Sequence, residues 1–154
     1  MKRLIKIQYR RRRQNKTDYN ARRVLLESNK PRLIIRRTNR YIITQIAESR
    51  KAQDKTICSA NSKELVKYGW PESFSIKNLS ASYLTGYLCA IKALKKNIKE
   101  AILDLGLMRS TKGGKIYAAL KGALDGGLNI PCDKSVFPDE KRLKVDNKIK
   151  EKIK

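Results

Sequence analysis

Short β-branched, apolar stretches separated by polar residues fill the first half of the chain. They occupy residues 32–37, 41–47 and 55–60. Runs of this length and composition predict β-strands. We place turns at residues 38–40 and around Gln53-Asp54-Lys55, so that the three strands form an antiparallel meander.

Helical periodicity dominates two later segments. Residues 78–97 repeat apolar side chains every three or four positions, and Asn78 or Ser80 can cap their start. Residues 116–125 repeat the pattern and end at two glycines, a common C-terminal stop. A shorter helix is expected over residues 18–28, with Asp18 as its N-cap and a proline three positions beyond its end.

A fourth strand is expected over residues 100–106. The elements together predict an α/β (α+β) fold, in which a mixed, mainly antiparallel sheet is packed by helices. We divide the chain into a basic arm with a short helix (1–31), a globular core (32–130) and a lysine-rich tail (131–154). The tail has little apolar pattern, which leaves a docking extension and plain disorder both open.

Several single residues carry expectations of their own. Gly86 lies inside a predicted helix, where glycine costs about 1 kcal/mol relative to alanine, so it should mark a close approach to a strand or to a ligand backbone. Trp70, the only tryptophan, is expected to cover the core rather than to serve as a stacking platform. The three cysteines lack any metal-binding spacing and are expected to be buried thiols in a reducing compartment.

Charge changes the picture from an ordinary domain to a polyanion-binding one. The chain has 37 Lys and Arg against 14 Asp and Glu, for a formal net charge of +23. An excess of this size repels itself unless an anionic partner relieves it. Twelve of the 14 arginines lie within residues 1–50, so the side chain that pairs bidentately with phosphate is concentrated there.

The arm is the strongest candidate contact surface. Four consecutive arginines should be disordered or frayed alone and should order on an anion. Neighbouring tyrosines offer stacking faces, as in RNA and single-strand binders. A solvated tail and a nuclear-import signal are the alternatives. The arm residues proposed to bind RNA are Tyr9, Arg10, Arg11, Arg12, Arg13, Asn15, Lys16, Thr17, Tyr19, Arg22 and Arg23.

Two further sites extend this surface. Arg37, Asn39 and Arg40 should lie at one end of the sheet, although they could also be ordinary solvated turn residues. The loop with Arg109, Thr111 and Lys112 precedes a helix and contains two glycines, features of a phosphate site. Its alternative is a glycine-rich turn in which Ser110 or Thr111 is a plain N-cap. The Walker A spacing is absent.

Most enzyme classes are excluded by composition. The chain has no histidine, which removes imidazole bases and histidine metal sites. A metal-dependent nuclease needs clustered carboxylates, and Asp104 is the only acid expected near a pocket rim. We therefore predict no catalytic residue, metal or cofactor. No apolar run approaches the about 18–20 residues of a spanning helix, so neither membrane insertion nor a signal peptide is expected.

The order of these segments resembles a known family. The matching motifs are YRRRR at 9–13, KTDY at 16–19, NKPR at 29–32, TNR at 38–40, QIA at 45–47, EL at 64–65, YGW at 68–70, YLTG at 83–86, ILDLGL at 102–107, RSTKG at 109–113 and AALKGALDGGL at 118–128. Together they resemble the 5S-rRNA-binding large-subunit ribosomal protein, universal number eighteen and number five in eukaryotes, in its archaeal type. Cys132 departs from the histidine expected there.

The resemblance implies a structural role in the cytoplasmic ribosome. A member of this family binds 5S rRNA and anchors it in the central protuberance, beside the other 5S-rRNA-binding ribosomal protein and 23S-type rRNA. No small-molecule substrate is implied. The alternative from another class is an architectural or non-specific DNA-binding protein, against which the polarised arginines and the lack of a recognisable DNA-binding motif weigh.

Overall fold

Four strands form one mixed sheet in the order β3-β2-β1-β4. The computed structural model describes residues 7–50, 53–144 and 147–153. The strands are β1 (Arg32–Arg37), β2 (Ile42–Arg50), β3 (Gln53–Asn61) and β4 (Ile102–Asp104). The first three pair antiparallel and β1 pairs with β4 in parallel. The predicted fold class and the meander are confirmed.

Helices precede, separate and follow the strands along the chain. They are α1 (Arg10–Arg13), α2 (Tyr19–Glu27), α3 (Leu79–Leu94), α4 (Lys115–Asp125) and α5 (Asn147–Ile153). Two 3₁₀-helices, Ser62–Tyr68 and Lys134–Val136, connect them. The first of these lies between β3 and α3.

The core fills the space between one face of the sheet and helices α3 and α4. Leu33 and Ile35 of β1 are fully buried there, as are Leu84 of α3 and Leu120 of α4. Side chains alternate along a strand, so Arg32, Ile34 and Arg36 point to the opposite face. That second face carries the polar contacts described below.

Caps fix the helix starts where the sequence placed them. Asp18 accepts from the backbone N–H groups of Asn20 and Ala21, and Asn78 accepts from Ala81 N–H. Such caps satisfy amide groups that lack a partner within the helix. Helix α3 ends at Leu94, three residues short of the predicted end, and Asn97 adopts a left-handed φ of 60°.

Glycines let α3 and α4 approach closely. A Cβ at Gly86 would lie 1.9 Å from the carbonyl oxygen of Ala119, and one at Gly122 would lie 2.0 Å from that of Tyr83. The expected close approach at Gly86 is therefore confirmed, but its partner is the backbone of α4 and not a strand or ligand. Glycine's missing side chain offsets its poor helix propensity here.

Two expectations about the strands need correction. Gln53, Asp54 and Lys55 belong to β3 and not to a turn, because β2 and β3 pair as far as Arg50 and Gln53. Residues 51–52, between these two strands, lie outside the described residues. Strand β4 spans three residues instead of seven, since the chain bends at Gly106 with a left-handed φ of 59°.

Burial separates the cysteines and decides the role of Trp70. Cys58 and Cys89 are buried as expected, but Cys132 is exposed, so that part of the expectation is wrong. Cys132 lies in the segment between α4 and the second 3₁₀-helix, outside the helices and strands that enclose the core. Trp70 is 7% exposed and belongs to the core, which confirms the preferred interpretation.

The tail docks on the core. Leu143, Ile149 and Ile153 are buried in the main apolar cluster. Lys150 Nζ donates to the hydroxyl of Tyr83 at 3.0 Å and lies over the rings of Tyr83 and Tyr87. Of the two alternatives for this segment, the structure shows the docking extension over residues 147–153.

Candidate nucleic-acid interface

Helix α1 is a single turn made of the four consecutive arginines, and all four side chains are exposed. The backbone N–H groups of Arg12 and Arg13 donate to the carbonyl of Tyr9 at 3.0 and 3.1 Å. The expectation of a disordered or frayed segment is therefore wrong for the backbone, because one helical turn lets the guanidinium groups point outward into solvent. No acid among the described residues pairs with Arg10, Arg12 or Arg13.

Two contacts hold this turn against α2. The rings of Tyr9 and Tyr19 lie 5.2 Å apart at 48°, and Tyr9 remains 69% exposed. Arg11 Nε donates to Thr17 Oγ1 at 2.9 Å. Between them, Asn15 takes a left-handed φ of 50°, which asparagine tolerates better than most residues. The arm is thus folded back on itself, with one tyrosine face available.

An ionic network anchors α2 to the sheet. Arg22 donates from both terminal nitrogens to the two carboxylate oxygens of Asp54, each at 2.8 Å. Arg32, only 1% exposed, donates to Asp54 at 2.6 Å, to Asp104 at 2.7 Å and to Ser49 at 2.8 Å. Two carboxylates compensate the buried guanidinium, as a buried charge requires.

Asp104 completes the network at the end of β4. Arg36 donates to its carboxylate at 3.1 Å and to its carbonyl at 2.9 Å. The backbone N–H of Gly106 donates to the same carboxylate at 2.8 Å. Asp104 is 6% exposed, so its oxygens are committed to structure and it is not a candidate metal ligand.

Asp54 has a strongly perturbed acidity. Partial burial raises its pKa, but hydrogen bonds from Arg22, Ser49 and Arg32 outweigh that effect and hold the pKa far below its ordinary value of 3.8. The carboxylate therefore stays ionised at any physiological pH. Because Arg22 and Arg32 both pair with this carboxylate, they hold the arm in place and present little net charge to solvent.

A second group of cations lies at the carboxyl ends of β1 and β4. The backbone N–H of Arg37 donates to Met108 Sδ at 3.2 Å, which joins the end of β1 to the loop after β4. Lys77 Nζ donates to the carbonyl of Asn39 at 2.9 Å. Parallel strands end at the same edge of a sheet, so this edge collects both connections.

Lys115, the first residue of α4, belongs to the same group. Burial is the largest cause that lowers the pKa of Lys115, and the positive charges of Lys77 and Arg37 lower it further. No salt bridge to a described acid involves any of these three cations. The sequence reasoning missed Lys77 and Lys115, and the available signal was their position at the starts of α3 and α4.

The loop before α4 is exposed at Arg109, Thr111 and Lys112. Gly114 occupies the N-cap position of α4 without a side-chain hydrogen bond, so neither Ser110 nor Thr111 is a plain N-cap. The hydroxyl of Ser110 contacts that of Tyr117 instead. The first amide groups of α4 therefore remain without a side-chain cap.

The structure brings many of the predicted residues to one surface but not all of them into contact. Arg11, Lys16, Thr17 and Arg22 line a groove with residues 103–107, next to the Arg37 and Lys77 group. Arg40 lies beside Tyr41, whose ring also carries Lys63 at 4.4 Å. Five others are exposed to solvent, Arg10, Arg12, Arg13, Asn15 and Arg23, and Arg23 pairs with exposed Glu27 at 2.9 Å.

The described residues were compared with the requirements of a metal site and of a membrane-spanning helix. Among the described residues, no group of three or more Cys, Asp or Glu side chains is placed to hold a metal ion. The helices within the described ranges are all too short or too polar to cross a membrane. The chemistry that the surface offers is hydrogen-bond donation and positive charge.

Comparisons with known proteins agree on one family. The model of ribosomal large subunit proteins 60S L5 and 50S L18 matches residues 3–100 and 96–133. The large ribosomal subunit protein uL18 of Korarchaeum cryptofilum is 53% identical over 142 residues, 92% of this chain and 72% of the relative. The uL18 proteins of Methanothermobacter thermautotrophicus and Methanoregula boonei are each 50% identical and cover 92% of the chain, with 73% and 80% of the relative matched.

Proposed function

We propose that this chain, which belongs to the family of ribosomal large subunit proteins 60S L5 and 50S L18, binds 5S rRNA and anchors it in the central protuberance. Membership makes it a structural constituent of the large ribosomal subunit and not an enzyme. The archaeal uL18 relatives agree with the archaeal type of the resemblance. Beyond this membership, we propose the identity of the bound RNA and the residues that contact it.

One observation carries the proposal: a series of contacts joins the arm to the carboxyl ends of β1 and β4, where further cations lie. Arg11 and Lys16 line a groove with the chain after β4, and the loop beyond that chain contacts Arg37. Of the acids that line the groove, Asp54 and Asp104 are already bound by arginines, and Asp18 caps α2. The remaining cations are therefore available to RNA phosphates.

Each residue type has a distinct role in this proposal. Arg10–Arg13, Lys16 and Arg23 contact backbone phosphates, and the exposed face of Tyr9 stacks on a base. Arg37, Asn39 and Arg40 extend the footprint from the sheet end, and Arg109, Thr111 and Lys112 from the loop. Arg22 contributes by placing α2, since its own charge is paired with Asp54. We add Lys77 and Lys115 to the proposed set because both lie close to Arg37.

Two further partners follow from the same proposal. The surface outside the 5S rRNA footprint is rich in lysine and is available to 23S-type rRNA. Lysine attracts phosphate as a point charge, without the planar geometry of arginine. The other 5S-rRNA-binding ribosomal protein would lie beside the chain on the shared RNA. The chain's large positive charge is then relieved by assembly.

A salt titration tests the proposal. If about 6–10 phosphates are neutralised, the affinity for 5S rRNA should fall about 10³–10⁵-fold between about 50 and 200 mM salt. Duplex DNA and an unrelated folded RNA of equal length are added as competitors at the same salt. If unlabelled 5S rRNA displaces the bound 5S rRNA and neither competitor does, the proposal is supported. Equal displacement by duplex DNA would instead indicate non-specific nucleic-acid binding.

A further inference from the structure

A groove of about 640 Å³ lies between α2 and the chain that follows β4. Its volume is within the range of about 300–1,000 Å³ typical of sites for small ligands. Its lining includes the apolar side chains of Val24 and Leu107 and the cations Arg11 and Lys16. The groove thus offers both apolar and cationic side chains to an occupant.

The apolar walls are left unusually open. Val24 is 66% exposed and Leu107 is 54% exposed. Helix α2 has its apolar residues on one face, yet none of its residues is fully buried. An amphipathic helix ordinarily buries its apolar face against a partner. Within the described residues, the face of α2 that carries Val24 has only partial cover.

The charges at the groove favour an anionic occupant. Arg11 bonds the neutral hydroxyl of Thr17 at 2.9 Å, and neither it nor Lys16 forms a salt bridge with a described acid. The carboxylates at the groove are all engaged: Asp18 caps α2, and Asp54 and Asp104 accept from arginines. Asp54 and Asp104 are thus paired with arginines, and Arg11 and Lys16 together outweigh the remaining charge of Asp18, so the groove attracts an anion.

We propose that this groove holds one unstacked nucleotide of the bound RNA, with its phosphate at Arg11 and Lys16 and its base against Val24 and Leu107. The inference rests on the proposed function and specifies how one part of the surface is used. A nucleotide combines a flat, weakly polar base with an anion in one unit, and proteins read RNA chiefly through bases that leave the stack. An apolar side chain of a protein partner would suit Val24 and Leu107 but leave Arg11 and Lys16 unpaired.

Substitutions that alter only the walls test the proposal. In Val24→Asn and Leu107→Asn the charge is unchanged and the altered side chains are exposed, so the thermal midpoint should stay close to that of the wild type. The matched control is Val66→Asn, at a side chain 44% exposed on the first 3₁₀-helix and outside the groove. Titration with 5S rRNA should show about five- to tenfold weaker binding for the two groove variants, from lost apolar burial, and less than about twofold for the control.

The outcomes separate this proposal from the proposed function. If the wild type binds 5S rRNA tightly and the groove variants bind equally well, the nucleotide site is wrong and the proposed function stands. If the wild type fails to bind 5S rRNA, the proposed function fails and the nucleotide site fails with it.

Photocrosslinking gives an independent readout. A benzophenone side chain placed at residue 107 should crosslink to one nucleotide that is unpaired in free 5S rRNA. Crosslinks spread over base-paired positions, or none in a complex that is still formed, would overturn the assignment. The same substitution at residue 66 is the control and should give no RNA crosslink.

Discussion

Arg22 and Asp54 form an ion pair of two parallel hydrogen bonds, each 2.8 Å long, between residues 32 positions apart. The pair joins α2 to the start of β3. Arg32 uses the same carboxylate from beneath, so one acid holds the arm and the sheet together. Most of the described cationic side chains face solvent, whereas Arg22 and Arg32 stabilise the fold.

Replacing Asp54 with asparagine should destabilise the fold. The substitution leaves the buried guanidinium of Arg32 with one carboxylate instead of two and frees Arg22 from its partner. We expect a loss of about 2–3 kcal/mol in the free energy of unfolding, less than for a fully buried pair because Asp54 is partly exposed. Denaturant unfolding measures it.

The control for Asp54→Asn is Glu27→Gln, which removes the exposed pair with Arg23. Its cost should be about 0.5 kcal/mol or less. Equal effects of the two substitutions would show that the Asp54 network contributes no more than a surface ion pair.

The contribution of Asp54 should depend on pH in one direction. Its folded pKa lies below the ordinary 3.8, so its stabilising effect is complete above that value and is lost as pH falls through the folded pKa. The stability difference between wild type and Asp54→Asn should be constant above about pH 5 and shrink steadily below about pH 4. A difference that stays constant down to about pH 2 would contradict the pairing.

Gly86→Ala should separate α3 from α4. Alanine favours helices by about 1 kcal/mol over glycine, but the new Cβ would lie 1.9 Å from the carbonyl oxygen of Ala119. The backbone cannot yield cheaply, so we expect a net loss of about 3 kcal/mol, seen as a lower thermal midpoint. A rise in the midpoint would mean that the two helices are farther apart than described.

Ile149→Ala tests the docking of the tail. Ile149 is 3% exposed in the apolar core, so truncation should cost about 2–4 kcal/mol in unfolding free energy. Glu151→Ala changes an exposed neighbour on the same helix and should be nearly neutral. If both variants unfold like the wild type, α5 does not contribute to the stability of the core.

Local patterns predicted the regular elements, and contacts distant in sequence decided the rest. Strand β1 and the caps Asp18 and Asn78 follow from short-range rules that a sequence displays. Gln53–Lys55 read as a turn because polar residues mark turns, yet there the backbone ladder with β2 continues. Arg32 gave no sign of burial, since arginine is rarely inside and its two acids lie 22 and 72 residues away.

The candidate site shows the same division. The sequence located the arm and the loop through their composition, which needs no tertiary information. It did not show that Lys77 and Lys115 join Arg37, because only the parallel pairing of β1 with β4 brings those segments to one edge. The tail offered Ile149 and Ile153 at a spacing of four, a signal too short to interpret without its docking site.

The dissociation constant of 5S rRNA for an arm variant tests the central claim most directly. Arg10–Arg13 are replaced together by alanine, and the control replaces four exposed lysines outside the proposed surface, Lys55, Lys67, Lys95 and Lys99. Both variants lose the same charge, so any difference reports position and geometry. We expect the arm variant to bind about 100-fold more weakly than the wild type and the control about tenfold or less, at equal salt. Equal losses in the two variants would show that the arm acts only as diffuse charge and would contradict the account.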